Sequence, residues 1–306
     1  MEAVDVSKKT EVAGAFPFLL AGGLFVLIDG LALLLTRPFE AAGVSVFENP
    51  DDPLNIVFLF LVMLISTAVI LLVSRFLRKL FVQGIILVAV AVDSFLIFYP
   101  LLAEAIPDPW STCLSFGATA LLLMMLVKYP EWYVVDACSI VVAVGTIAIL
   151  GISLSISLVI GLLIGLTLYD AISVYKTKHM IDLADIVFEI KAPVMLVIPK
   201  VRGYSQIRGT RSLKEQLKKG EEREGLVMGL GDFVFPGILV VSAFYNLASS
   251  GLIVAECVLL GTLLGLVPLS ASMARGKPQA GLPYLCGGAV LGYLISSYFL
   301  FGHLVF

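Results

Sequence analysis

Asp170 and Asp232 are the residues of this chain best placed to do chemistry. Each lies in a stretch apolar enough to cross a bilayer, the first as Tyr169-Asp170 and the second as Gly229-Leu230-Gly231-Asp232, at the start of an apolar run. An ionisable side chain at that depth costs roughly 2.5–3.5 kcal/mol to insert, so it marks a functional site. Two carboxyls that meet in a low-dielectric site do not both ionise easily and instead share a proton. Such a pair does proton chemistry, one member as base and the other as acid.

The elements that must hold the pair follow from composition. Of 306 residues, 59% are hydrophobic and 14% charged, with mean hydropathy +1.04. Soluble domains carry about 25% charged residues, so the chain reads as an integral membrane protein. Apolar segments at 12–36, 55–74, 80–103, 112–128, 132–150, 152–175, 226–248, 252–273 and 280–304 each come near the ~20 residues of a membrane-spanning helix. The breaks inside the two longest runs are expected at Gly151 and at Ser249-Ser250-Gly251. The reading is an all-α membrane protein of nine spans. With the N-terminus inside, 19 of the 20 basic residues fall on the cytoplasmic side and only Arg37 outside, while Glu40, Glu48, Asp51, Asp52, Glu104 and Asp108 face out. This charge bias predicts a cytoplasmic N-terminus and an outward C-terminus. The N-terminus lacks the form of a cleaved signal peptide, so the first apolar run is read as a retained anchor.

A long loop separates six helices (1–175) from three (226–306). Within this 176–225 segment, Ala192–Pro199 is a β-prone apolar run bounded by prolines, and Arg208–Glu224 is dense in mixed charge and reads as a mobile, solvated stretch. Asp170 lies about 9 Å, and Asp232 about 13 Å, from the nearest flanking basic residue at helical rise. Both therefore belong to the cytoplasmic leaflet, on antiparallel helices that allow them to face each other. Asp29, Asp93, Asp136 and Glu256 also fall in or near spans but have no partner at matched depth. Asp136 is expected near interfacial water, and the others are expected to be satisfied by serine, tyrosine or backbone groups. Gly229 and Gly231 permit a departure from helical geometry or the close approach of another backbone. Gly161 and Gly165 form a small-xxx-small packing face. The four cysteines are spaced singly and read as packing residues; the two histidines are far apart, so neither metal nor cofactor is expected.

Taken together, Tyr169-Asp170, Gly229-Leu230-Gly231-Asp232-Phe233, nine spans and the six-plus-three division resemble the presenilin and signal peptide peptidase family of intramembrane aspartyl proteases. A third family signature, Pro-Ala-Leu at the start of the ninth span, is matched only in part by Ala280-Gly281-Leu282-Pro283, where alanine replaces the motif proline and glycine its alanine. A second register would lay Pro283-Tyr284-Leu285 on the motif. The resemblance implies hydrolysis of peptide bonds in single-span membrane substrates or signal peptides, with Asp170 and Asp232 catalytic. It assigns Tyr169, Gly229, Leu230, Gly231, Ala280, Gly281, Leu282 and Pro283 to active-site support and substrate binding.

Unwinding a substrate helix frees amides that each cost several kcal/mol in lipid, so a strand edge is expected at Glu224–Met228, with Ala280–Leu282 opposite. The competing reading of 224–228 is a plain helix start. A transporter or channel also uses intramembrane acids and broken helices, but it predicts inverted repeats that the two parts do not show. Prepilin-peptidase-like proteases share a glycine-aspartate motif, commonly followed by lysine where this chain has Phe233. The expected partners are transmembrane substrates and the bilayer, not nucleic acid. The short chain, without an Asn-x-Ser/Thr sequon, points to a prokaryotic plasma membrane.

Overall fold

The computed structural model describes residues 16–76, 79–174, 193–199, 225–247, 250–273 and 280–305. These contain the helices α1 (Phe16–Ala41), α2 (Leu54–Phe76), α3 (Lys79–Ala105), α4 (Trp110–Lys128), α5 (Trp132–Ser153) and α6 (Ile156–Ile172). Strands β1 (Met195–Pro199) and β2 (Gly225–Gly229) follow, then α7 (Leu230–Asn246), α8 (Gly251–Met273) and α9 (Leu282–Phe301). Six of the helices, α1, α3, α4, α5, α8 and α9, are long and apolar enough to cross a membrane. The described apolar stretch Leu54–Ile70 of α2, with α6 and α7, is shorter.

The fold is all-helical, as expected, apart from β1 and β2, which pair antiparallel where a β-prone run and a strand edge were expected, Val197 opposite Val227. Two expectations need correction. The expected span at 226–248 begins as a strand and turns helical only at Leu230. The break expected at Gly151 comes later, where Leu154 and Ser155 adopt extended backbone (ψ 137 and 156). Ser155 N–H donates to the Pro50 carbonyl at this break. Gly151 lies inside α5, where a Cβ would come within 2.5 Å of Val241 Cγ1, so it is a packing residue. The other break holds, since α8 starts at Gly251, where a Cβ would run into the Phe244 carbonyl. The mixed-charge stretch 208–224 and His179 lie outside the described residues.

Helix α7 is the axis of the protein. Its sequence is apolar on every side, which buries a helix all round, and α1, α5, α6, α8 and α9 all pack on it. Phe233, Ile238, Leu239, Val240 and Val241 are fully enclosed. Against α1, Phe25 stacks on Phe233 with centroids 4.2 Å apart. One turn further along α1, Asp29 fills a notch at Gly237, where a Cβ would lie 2.5 Å from Asp29 Oδ1 and 2.8 Å from Ile147 Cδ1. Neither oxygen of Asp29 has a hydrogen-bond partner among the described residues, contrary to the expected serine, tyrosine or backbone partner. Asp93 is half-buried on α3 and Glu256 exposed on α8.

The tightest helix contact joins α8 to α9. A Cβ at Gly261, Gly265, Gly288 or Gly292 would strike backbone of the opposite helix. Gly265 meets the Tyr284 carbonyl, in the first turn of α9. Gly161 and Gly165 instead receive Ile56 and Phe60 of α2, as their spacing predicts for a packing face. Overpacking of a tight contact costs about 1–3 kcal/mol. Gly237→Ala is therefore expected to lower the Tm of the detergent-purified protein, and Asp29→Ala in the same chain is expected to recover part of that loss. Strict additivity of the two changes would contradict the notch.

Candidate active site

Strand β2 delivers the chain into α7 with no intervening loop. Gly229 is the N-cap residue (φ −65, ψ 141), so Leu230, Gly231 and Asp232 are the first three helical positions. The Leu230 N–H, one of the donors a helix start leaves free, bonds the Val194 carbonyl at 3.0 Å. An acid at the third helical position can reach back to the N-cap N–H, and the Asp232 carboxylate takes a hydrogen bond from the Gly229 backbone. The helix N-terminus also favours negative charge there.

Asp170, in the last turn of α6, is 3% exposed. Its Oδ2 accepts the Leu282 N–H at 3.2 Å, a donor that starts α9 and has no intrahelical partner. The preceding residue, Gly281, borders the other carboxyl: a Cβ there would lie 2.7 Å from Asp232 Oδ1 and 2.9 Å from its Cγ. Two consecutive residues thus touch the two carboxyls. Asp170 and Asp232 are also within electrostatic range of each other. Both carboxyls thus lie at the peptide that joins Gly281 to Leu282.

The remaining predicted residues divide. Leu230, Ala280 and Leu282 are buried beside the pair, and Pro283 follows in the first turn of α9. The contacts fall on 281 and 282, which suits the register that sets Ala280-Gly281-Leu282 on the third motif. Glycine at 281 has a steric reason, because the Asp232 carboxyl occupies the space of a side chain. Gly229 and Gly231 do not need glycine for backbone conformation; a Cβ at Gly229 would meet Asp232 Oδ2 only at 3.7 Å. Tyr169 is 37% exposed and points aside, since neighbours on a helix are about 100° apart.

Two side chains join the site unannounced by the motifs. Cys286, read from sequence as packing, hydrogen-bonds Thr167 and lies within electrostatic range of both carboxyls. It follows Leu282 by one helical turn, a spacing that places both on one face. Asp136 does not end in interfacial water alone: its Oδ1 accepts the Val197 N–H of β1 at 2.9 Å. Among the described residues no group of three His, Cys, Asp or Glu side chains is arranged to hold a metal ion.

A misplacement of about 1 Å in a reacting group can cost ~10²-fold in rate. Gly281→Val, whose branched side chain cannot share the space of the Asp232 carboxyl, is expected to lower activity by roughly that factor. Gly281→Ala, which a rotation of the carboxyl accommodates, should have a smaller effect. Equal activity of wild type and Gly281→Val would contradict the close approach.

The sequence model for signal-peptide peptidases and presenilin aspartyl proteases matches residues 22–302. Two solved structures of a presenilin family intramembrane aspartate protease, in P2 and C222 crystals, have the same fold. The first is 30% identical with TM-score 0.68 and the second 28% identical with TM-score 0.64. In both comparisons 92% of this chain and 97% of the other are covered. No curated protein matches the sequence significantly.

Proposed function

The chain belongs to the signal-peptide peptidase and presenilin family of aspartyl proteases, and on that premise we propose that Asp170 and Asp232 are its catalytic pair. The observation that carries the reading is the adjacent pair of contacts at residues 281 and 282, one to each carboxyl. An intramembrane protease is what the family and the solved relatives are, which sets aside the transporter.

The ionised aspartate takes a proton from a water molecule, and the water oxygen bonds to the scissile carbonyl carbon. The protonated aspartate donates to the developing oxyanion. As the tetrahedral intermediate collapses, the C–N bond breaks and the amine leaves with a proton from the pair. Product is one new carboxyl end and one new amine end, with no covalent enzyme intermediate. Leu282 N–H anchors Asp170, and the Gly229 N–H with the α7 N-terminus anchors Asp232.

The substrate is a single transmembrane helix or signal peptide that unwinds and adds to β2 as a strand. Val227 supports this. In the β1–β2 ladder the residue pairs 194/230, 196/228 and 198/226 are the mutually bonded set, as the Leu230 to Val194 bond indicates. Val227 thus turns its N–H and C=O away from β1, and no partner is found for them among the described residues. The nine helices cross the bilayer with the N-terminus cytoplasmic, as the distribution of basic residues favours. The parts 1–175 and 226–306, joined through 176–225, form one membrane unit, in a prokaryotic plasma membrane.

Incubation of purified enzyme with a detergent-solubilised single-span substrate tests the pair. Product is expected from wild type and from neither Asp170→Asn nor Asp232→Asn; cleavage by either variant would overturn the assignment. Strand addition has its own variant. Proline at 227 removes an N–H that the ladder does not use, so it should leave the protein folded. Val227→Pro is expected to cut cleavage at least ten-fold, whereas unchanged cleavage would show that substrate does not pair there.

A further inference from the structure

A two-stranded sheet has two outer edges, and either is a template for another strand. The edges here are not equivalent. Residues 195, 197 and 199 of β1 direct their main-chain groups away from β2, because they belong to the non-bonded pairs of the ladder. At each of the three, one of these groups is accounted for. Val197 N–H bonds Asp136 Oδ1 at 2.9 Å. The Met195 carbonyl lies 3.2 Å from the Ser139 hydroxyl, whose proton it shares with the Val135 carbonyl at 2.9 Å. Pro199 has no N–H to offer.

Asp136 and Ser139 are three residues apart on α5 and therefore on one face of it. That face lies along β1, whose Leu196, Val197 and Ile198 are at most 1% exposed. Asp136 itself is the unusual choice. An apolar residue would serve packing alone, but it would leave a buried N–H unpaired, a loss of about 1–3 kcal/mol.

We propose that Asp136 and Ser139 are positioning residues that close the outer edge of β1, so that a substrate strand adds only along Val227 and in one register relative to Asp232. The inference rests on the strand-addition reading given above. A strand that slips by one residue presents its opposite face, so the register of addition decides which peptide bond arrives at the carboxyls. The distance along the chain from Val227 to Asp232 is fixed by the direct passage of β2 into α7. With β1 held by α5, β2 is held in turn, and the cut position follows. Loosening β1 would let both strands shift and open a second edge.

Mass spectrometry of the products from one single-span substrate reads the cut position directly. Wild type is expected to give one dominant cut. Asp136→Leu is expected to lower that cut at least ten-fold relative to its neighbours and to spread cleavage over adjacent bonds. Asp136→Asn keeps an acceptor oxygen for Val197 N–H and should rescue the dominant cut. Ser139→Ala removes the second contact without changing packing volume, and should spread the cut to a smaller degree; it carries the test if Asp136→Leu yields little folded protein. An unaltered product pattern from folded Asp136→Leu, or from Ser139→Ala where that variant must stand in, would overturn the proposal. The two failures are distinguishable. If strand addition itself is wrong, Val227→Pro cleaves like wild type; if only the edge closure is wrong, Val227→Pro is impaired while the Asp136 and Ser139 variants cut in the wild-type position.

Discussion

Two carboxyls buried in a membrane protein must be held close without a basic residue between them, and the peptide joining Gly281 to Leu282 is where this structure solves that problem. Leu282 offers the unpaired N–H of a helix start to Asp170. Gly281 gives up its side chain so that the Asp232 carboxyl can lie against it. Everything else in the fold can be read as keeping that peptide in place. Helix α9 is fixed by its backbone-to-backbone contact with α8 through Gly261, Gly265, Gly288 and Gly292. Helix α7 is fixed by enclosure on all sides, with α1 locked to it by Phe25 on Phe233 and by Asp29 in the Gly237 notch.

The β1–β2 pair adds direction to this arrangement. Helix α7 begins where β2 ends, so a helix N-terminus and a strand edge lie within a few residues of the same carboxyl. The helix start stabilises negative charge at Asp232. The strand supplies main-chain groups for an extended chain, the form a helical substrate must take before its amide becomes accessible. Helix α5 then joins the far side of the sheet through Asp136. A polar residue in a span, costly by itself, is thereby satisfied by the strand that it holds.

Much of this was legible in the sequence, and the parts that were not share a physical cause. Asp170 and Asp232 stood out because a charge in an apolar run is expensive, and the carboxyls do lie at one peptide. The β-prone run at 192–199 was visible from its bounding prolines and a strand edge was expected at 224–228, but not that the two pair with each other. Residues 226–228 are apolar like the helix that follows, and hydrophobicity alone does not separate a buried strand from a helix start. Gly151 was misread as a break because a glycine inside an apolar run signals either a bend or a close neighbour, and only the position of Val241 decides between them. The same ambiguity hid the role of Gly281. Its departure from the family's alanine looked like a weakened motif, yet it is where the carboxyl of Asp232 needs room. Asp136 escaped because its partner, the Val197 N–H, is a main-chain group that no side-chain pattern announces.

The site depends most on the proximity of residue 281 to Asp232, and a cross-link measures it. A disulfide places each Cβ about 3 Å from the opposite sulfur, and the Cβ position at 281 lies 2.9 Å from Asp232 Cγ, the atom that a cysteine Sγ would replace. The measurement is oxidation of an Asp232→Cys, Gly281→Cys chain in which the four native cysteines are alanine, followed by mass spectrometry of the joined peptides. Efficient intramolecular cross-linking is expected in the folded, membrane-embedded protein. Reduced cysteines at both positions after oxidation of folded protein would contradict that proximity.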